Sequence, residues 1–107
     1  MKMNIVENDY IMDTYISMKL RHGSDTVILF HVGDFYEAYI EDSRIVADIL
    51  SLPRKVLEVH LEYVVYVTRF RADNLTRHLD KLYDAGYSVC VSDMRGPDGT
   101  HILNITE

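Results

Sequence analysis

The spacing of hydrophobic positions changes several times along the chain, and each change marks the boundary of a predicted element. Apolar residues three or four positions apart are typical of an amphipathic helix, whereas alternation or a short apolar run is typical of a strand. The pattern predicts helices over residues 9–21, 36–50 and 72–85, a buried strand over 26–32, two strands within 56–70, a strand over 88–93, a turn at 96–99 and a closing strand over 101–105. This order predicts an α+β fold, a mixed sheet of about five strands with three helices.

The most informative local pattern is the Gly-Asp-Phe-Tyr-Glu segment that ends the first predicted strand. Gly33 interrupts the apolar run and helical spacing begins at Tyr36, so Phe35 is predicted to lie at a strand-to-helix corner. Asp34 is a good helix N-cap, and Glu37 three residues later completes the pattern of a capping box, which satisfies unpaired N–H groups. On that interpretation the corner is structural. The Phe35 ring then either packs inward or points outward to a partner, and the local pattern leaves both open.

Composition and charge restrict the possible functions of the chain more than they restrict its possible folds. Residues 1–107 suit a single domain with one core. Eleven Lys and Arg against 17 Asp and Glu give a formal net charge of -6, which opposes the neutralisation of phosphates on which affinity for DNA depends. No apolar run is long enough to cross a bilayer, and the first ten residues do not form a secretory signal. We therefore predict no membrane partner and a cytoplasmic location.

Acidic residues on the second predicted helix raise one catalytic alternative. Glu37 and Glu41 lie four residues apart and share a helix face. Together with Asp34 and Asp42 they could hold Mg²⁺ in a nuclease. However, no basic catalytic partner or histidine pair stands at a useful spacing, and a solvated helix face accounts for the same residues. Because the single cysteine, Cys90, also fits a structural strand position, we predict no enzyme activity and no metal site.

Basic residues near an aromatic ring supply candidate contacts to nucleic acid. Arg69 and Arg71 flank Phe70 at the end of a predicted strand. Arg54 and Lys55 follow the second predicted helix and could extend the same surface. Cations beside aromatic rings are typical of surfaces that bind nucleic-acid backbones and bases. The alternative interpretation is a solvated strand end.

Three short segments carry a family resemblance. They are Ile-Met-x-x-Tyr at residues 11–15, Ile-Leu-Phe-His-Val-Gly-Asp-Phe-Tyr-Glu at 28–37 and Glu-Asp at 41–42. Together they resemble the N-terminal mismatch-recognition domain, domain I, of the MutS family of DNA mismatch repair proteins, and the order of predicted elements is similar over nearly the whole chain. The resemblance implies that Phe35 inserts into the duplex and stacks on a mispaired base, while Glu37 bonds to that base. A carboxylate that caps a helix serves a base poorly, so these two roles of Glu37 compete.

The resemblance also implies partners and cofactors. The implied partner is mismatched or distorted double-stranded DNA, bound weakly by this domain alone because of its charge, and other mismatch-repair proteins are further candidates. The chain contains no Gly-x-x-x-x-Gly-Lys-Ser/Thr motif. We therefore expect no cofactor in this chain, since ATP and Mg²⁺ would belong to the family's ATPase domains, which we expect to be absent here.

The chain departs from the family pattern at two places. A Gly-Ile-Pro-Tyr-His stretch is typical before the third helix of the family, and this chain has Thr-Arg-Phe-Arg at residues 68–71. We therefore expect a different local backbone there. His31 stands where a fixed cation is common in relatives, which predicts a weakened or pH-dependent contact to phosphate.

Two functional hypotheses follow. The first is a non-enzymatic DNA-binding module that probes mispaired or distorted duplex through Phe35 and Glu37. The second is a protein-interaction or relic module that keeps the fold and has lost DNA binding. A protruding Phe35 ring beside basic side chains would favour the first hypothesis, and a buried ring in an acidic field would favour the second.

Overall fold

The computed structural model describes residues 5–93 and arranges them as one five-stranded sheet with helices against both faces. The helices are α1 (Tyr10–His22), α2 (Ile40–Leu50) and α3 (Leu75–Asp84), and a 3-10 turn at Ala72–Asn74 precedes α3. The strands are β1 (Thr26–Val32), β2 (Phe35–Tyr39), β3 (Lys55–Val59), β4 (Val64–Arg71) and β5 (Ser88–Asp93). Their order is β3-β4-β2-β1-β5, with β1 and β5 parallel and the other neighbours antiparallel. The predicted α+β fold with a mixed sheet is confirmed.

Strand β1 is buried on both sides. Ile28 and Phe30 pack with Met18 of α1 on one face of the sheet. Val27 and Leu29 pack with residues of α2 and α3 on the other. A strand that is covered on both faces needs apolar residues at successive positions, which accounts for its unbroken apolar run. We call these two sides of the sheet the α1 face and the α2–α3 face.

The second predicted helix is wrong at its beginning. Strand β2 occupies its first positions and pairs antiparallel with β1, and helix α2 begins only at Ile40. Because Val32 lies opposite Phe35, Gly33 and Asp34 form a two-residue hairpin loop. The φ angle of Gly33 is +61°, a conformation that glycine adopts without steric cost. Phe35 therefore lies at a hairpin, not at a strand-to-helix corner.

The capping box predicted at the same place is also wrong. Asp34 lies in the hairpin loop and Glu37 lies in the middle of β2, while Tyr39 occupies the N-cap of α2 without a side-chain hydrogen bond. Glu37 concealed the strand, because β2 is buried on both faces and a carboxylate interrupts the apolar run by which such a strand is recognised. The structural role assigned to Asp34 and Glu37 at a helix end therefore disappears.

The other predicted elements agree with the structure apart from shifts at their ends. The two strands expected within residues 56–70 are β3 and β4, and the first turn of the third predicted helix is the 3-10 turn. The predicted turn at 96–99 and closing strand at 101–105 lie outside the described residues. The observed sheet reaches five strands because it includes β2, a strand that the hydrophobic pattern did not predict.

Asp42 fixes the start of α2 against β1. Its side chain is 0% exposed, one carboxylate oxygen accepts a hydrogen bond from the Ile28 N–H at 3.0 Å, and the other lies 2.9 Å from Lys19 Nζ. Lys19 also donates to the carbonyl oxygen of Thr26 at 2.6 Å. Burial raises the pKa of the Asp42 carboxyl, and the hydrogen bonds from Ile28 and Lys19 oppose that shift. The interpretation of Asp42 as part of a solvated helix face is therefore wrong.

Candidate nucleic-acid interface

Strands β2 and β4 bring four of the predicted site residues together. Their pairing places Phe35 opposite Arg71 and Glu37 opposite Arg69. Residues directly opposite each other on neighbouring strands point to the same side of a sheet. This side is the α1 face, because Val67, two positions before Arg69 on β4, packs in the core beneath α1. We call Phe35, Glu37, Arg69 and Arg71 the β2–β4 patch.

The Phe35 ring is half-buried and is not part of the core on either face of the sheet. The guanidinium carbon of Arg69 lies 4.1 Å from the ring centroid, and that of Arg71 lies 5.7 Å from it. Both distances are within the range of a cation–π contact. The ring is therefore not sealed in the apolar interior, and two solvent-exposed arginines flank it.

Glu37 is held in place by a neighbour on its own strand. Glu37 is 8% exposed, and its Oε1 accepts a hydrogen bond from the Tyr39 hydroxyl at 2.7 Å. Its second carboxylate oxygen, Oε2, lies 3.9 Å from Nη1 of Arg69. Burial, followed by the negative charge of Glu37, raises the pKa of Tyr39, so the hydroxyl keeps its proton and continues to donate. The arrangement presents Glu37 as a fixed hydrogen-bond acceptor beside the ring.

The structure separates the two other predicted basic residues. Lys55 pairs with Val67, so it lies on the α1 face, diagonal to Arg69 and beside the patch. Arg54 lies against the opposite face, where its guanidinium carbon is 4.4 Å from the Tyr66 ring centroid and its Nε donates to Ser43 Oγ at 3.2 Å. The expectation that Arg54 extends the same surface is therefore wrong, whereas the position of Lys55 fits it.

Two further residues face away from the patch. Phe70 is buried on the α2–α3 face, where its ring and the steeply inclined ring of His78 have centroids 4.6 Å apart. His31 stacks on Tyr36 of that same face at 4.6 Å. The interpretation of Phe70 as the exposed aromatic between Arg69 and Arg71 is therefore wrong, because Phe35 takes that place from the adjacent strand.

The charge of the patch is small and nearly balanced. Arg69, Arg71 and the neighbouring Lys55 are opposed by Glu37 and by Asp73, whose carboxylate lies 3.9 Å from Nη2 of Arg71. The chain as a whole carries a formal charge of -6. Such a surface can meet very few phosphates, and affinity for duplex DNA rises with the number of phosphates neutralised.

Sequence reasoning missed Tyr39 as a member of this site. Tyr39 lies two positions after Glu37, and residues two apart on a strand share one face. That periodicity would have indicated the contact if residues 35–39 had been recognised as a strand. Its ring also stacks on Phe30 of β1 at a centroid distance of 5.1 Å, which anchors the hydroxyl that holds Glu37.

Two alternative uses of the chain have no support in the described range. Among residues 5–93, no group of three or more His, Cys, Asp or Glu side chains could hold a metal ion. The acidic residues considered for a nuclease are dispersed, with Asp42 under α1 and Glu37 in the patch. In the same range, no helix has the length and hydrophobicity needed to span a bilayer.

A comparison with known families decides the relationship that the motif suggests. The family model described as MutS domain I matches residues 10–101, which is most of the chain. The chain belongs to the MutS domain I family. Among MutS proteins, a DNA mismatch repair protein MutS from Thermotoga maritima is 35% identical over 83 residues, which covers 78% of this chain and 10% of that protein.

Relatives from other lineages show the same extent of similarity. The DNA mismatch repair protein MutS of Parabacteroides distasonis is 36% identical over 83 residues, 78% of this chain and 9% of its own length. DNA mismatch repair protein MutS 1 of Haloarcula marismortui is 34% identical over 91 residues, 83% of this chain and 10% of its own length. The chain thus spans about a tenth of the MutS relatives it matches, and the resemblance first seen in the Gly-Asp-Phe-Tyr-Glu segment is confirmed.

Proposed function

We propose that this MutS domain I chain is a non-enzymatic DNA-binding module that probes mispaired or distorted duplex by inserting the Phe35 ring. The observation that carries the proposal is the position of that ring, outside the core and flanked by Arg69 and Arg71. An aromatic side chain that is not packed in the core can stack on a base, and adjacent cations can contact the flanking phosphates. Glu37 lies on the same face as a fixed acceptor for a base N–H.

Discrimination in this mechanism comes from the DNA. Inserting a side chain between stacked base pairs costs about a few kcal/mol per step. A mismatch is already poorly stacked and paired, so the cost is lower there. Stacking of the ring on a base gains about 1–3 kcal/mol, which can offset the cost of insertion at a mismatch and not at a well-stacked pair. The lower deformation energy of the mismatched site therefore gives the preference for mismatched DNA.

The net negative charge of the module limits its affinity for DNA when it acts alone. With a formal charge of -6 and a few cations at the patch, we expect weak binding that is lost readily in salt. Most of the contacts that hold the duplex would come from outside this module, and other mismatch-repair proteins are the proposed partners. Stacking and hydrogen bonding need no cofactor, so we propose that this chain uses none.

The test compares matched and mismatched duplexes of one length by fluorescence anisotropy at low salt. The native chain should bind the mismatched duplex more tightly, and Phe35→Ala should bind both duplexes equally. Tyr83→Ala is the matched control, because Tyr83 is an exposed aromatic on α3, outside the patch, and its loss should leave the preference intact. Equal preference in the native chain and in folded Phe35→Ala would refute the insertion.

A protein-interaction module that has lost DNA binding is the second candidate. A group of exposed apolar residues on neighbouring strands β3 and β4 favours it; the group consists of Val56, Leu57, Val64 and Tyr66. Exposed apolar residues that lie together mark sites of protein contact more often than isolated ones do. If the native chain binds every duplex equally poorly, this candidate becomes the better explanation of the fold.

A further inference from the structure

The free form of the β2–β4 patch does not present the Phe35 ring directly. The Arg69 guanidinium lies over the ring at 4.1 Å from its centroid, which is the space that a stacked base would take. The Arg69 side chain is 47% exposed, whereas Phe35 is half-buried beneath it. A base therefore reaches this face of the ring only after the guanidinium has left it.

The same guanidinium also faces Glu37. Its Nη1 lies 3.9 Å from Oε2 of Glu37, and the carboxylate is fixed from the other side by the Tyr39 hydroxyl. Glu37 thus draws Arg69 toward the position in which it covers Phe35. When Arg69 moves away, the ring face and one carboxylate oxygen become accessible in the same step.

We infer that Arg69 is a specificity-determining residue whose side chain covers Phe35 and Glu37 in the free protein and is displaced by an inserted base. This inference rests on the proposed function and adds a step to it. DNA that cannot accept the ring leaves Arg69 in place and is held by charge alone. When a poorly stacked base meets the ring, the base replaces the guanidinium. Arg69 therefore adds the free-energy cost of its own displacement to every insertion.

The ratio of affinities for mismatched and matched duplex tests this step. Loss of one positive charge from the patch weakens both complexes alike, so its effect cancels in the ratio. Loss of the cover favours the inserted complex alone. Arg69→Ala should therefore raise the ratio by about two- to fivefold, the factor that corresponds to an exposed cation–π contact. Arg77→Ala removes the same charge from the exposed side of α3 and should leave the ratio unchanged.

NMR spectroscopy can report directly on the contact between the Arg69 guanidinium and the Phe35 ring. In the free protein, the NMR signals of the Arg69 side chain should carry a ring-current shift from Phe35, and Phe35→Leu should abolish it. Saturating mismatched duplex should also remove this shift in the native chain, and matched duplex should leave it in place.

The outcomes separate this inference from the proposed function. Equal binding of all duplexes by the native chain would overturn both. A mismatch preference that stays the same or falls in Arg69→Ala would overturn the inference alone, because Arg69 would then act only as a phosphate contact and not as a cover of the ring. An Arg69 ring-current shift that persists in the mismatched complex would overturn it in the same way.

Discussion

The ion pair between Lys19 and Asp42 offers the sharpest test of how this fold is held together. Asp42 is 0% exposed, the Lys19 side chain is 16% exposed, and their charged atoms lie 2.9 Å apart. The proposed change is Lys19→Met, which keeps the length of the side chain and removes its charge. The variant leaves a buried carboxylate with the Ile28 N–H as its remaining close hydrogen-bond donor among those described. Removing one partner of a buried pair typically costs about 3–5 kcal/mol, and we expect a loss in that range at neutral pH.

The pKa of Asp42 predicts how the loss of stability in Lys19→Met changes with pH. Burial raises the pKa of Asp42 above its ordinary value of 3.8, so folding favours the protonated form of this group. Between the unfolded and folded pKa values the folded state binds more protons, and the contribution of Asp42 to stability increases as pH falls through this window. Without Lys19 the pKa should rise further. The gap in stability between the native chain and Lys19→Met should therefore narrow on mild acidification.

Urea denaturation followed by far-UV circular dichroism measures both effects. The double variant Lys19→Met/Asp42→Asn should recover most of the loss, because it removes the unpaired charge. Arg44→Met is the matched control, since Arg44 forms exposed ion pairs with Glu41 and Asp48 on α2, which contribute at most about 1 kcal/mol. A loss in Lys19→Met no larger than in Arg44→Met, or no recovery in the double variant, would refute the reasoning.

Two further predictions concern the core and its acid sensitivity. Leu82 is 0% exposed, so Leu82→Ala should lower the free energy of unfolding by about 2–5 kcal/mol, while Phe35→Ala should cost far less because its ring lies outside the core; thermal melts showing equal damage would contradict this contrast. Burial, reinforced by Arg77 and Lys81, lowers the pKa of His78, so stability should fall as pH drops through its ordinary value of 6.5. His78→Leu should flatten that dependence in urea titrations, and an unchanged slope would rule out His78 as its source.

Much of the fold could be predicted because it depends on local patterns. The unbroken apolar run of β1 indicates a strand covered on both sides, and the repeated leucines of α3 indicate a helix with one buried face. Strand β2 could not be predicted in the same way. Its buried Glu37 is stabilised by the Tyr39 hydroxyl and by Arg69 of another strand, and hydrophobic periodicity does not register such polar contacts.

The candidate site was predictable in its residue types more than in its arrangement. The Gly-Asp-Phe-Tyr-Glu segment indicated Phe35 and Glu37, and charge next to an aromatic indicated Arg69 and Arg71. The error over Phe70 came from adjacency in sequence, because neighbouring residues on a strand point to opposite faces. The pairing of Lys19 with Asp42, 23 residues apart, likewise depends on the packing of α1 over the sheet and has no local signal.

The register between β2 and β4 decides which aromatic ring is available for stacking. In the observed register, Arg69 and Arg71 share a face with Phe35, and Phe70 is directed into the core opposite Tyr36. A shift of β4 by one residue would reverse every side chain, burying two arginines and exposing Phe70. The cost of burying those charges fixes the register, since an unpaired buried cation is among the least tolerated groups in a core. The same arginines that we propose to meet DNA therefore also specify the strand pairing that leaves Phe35 outside the core.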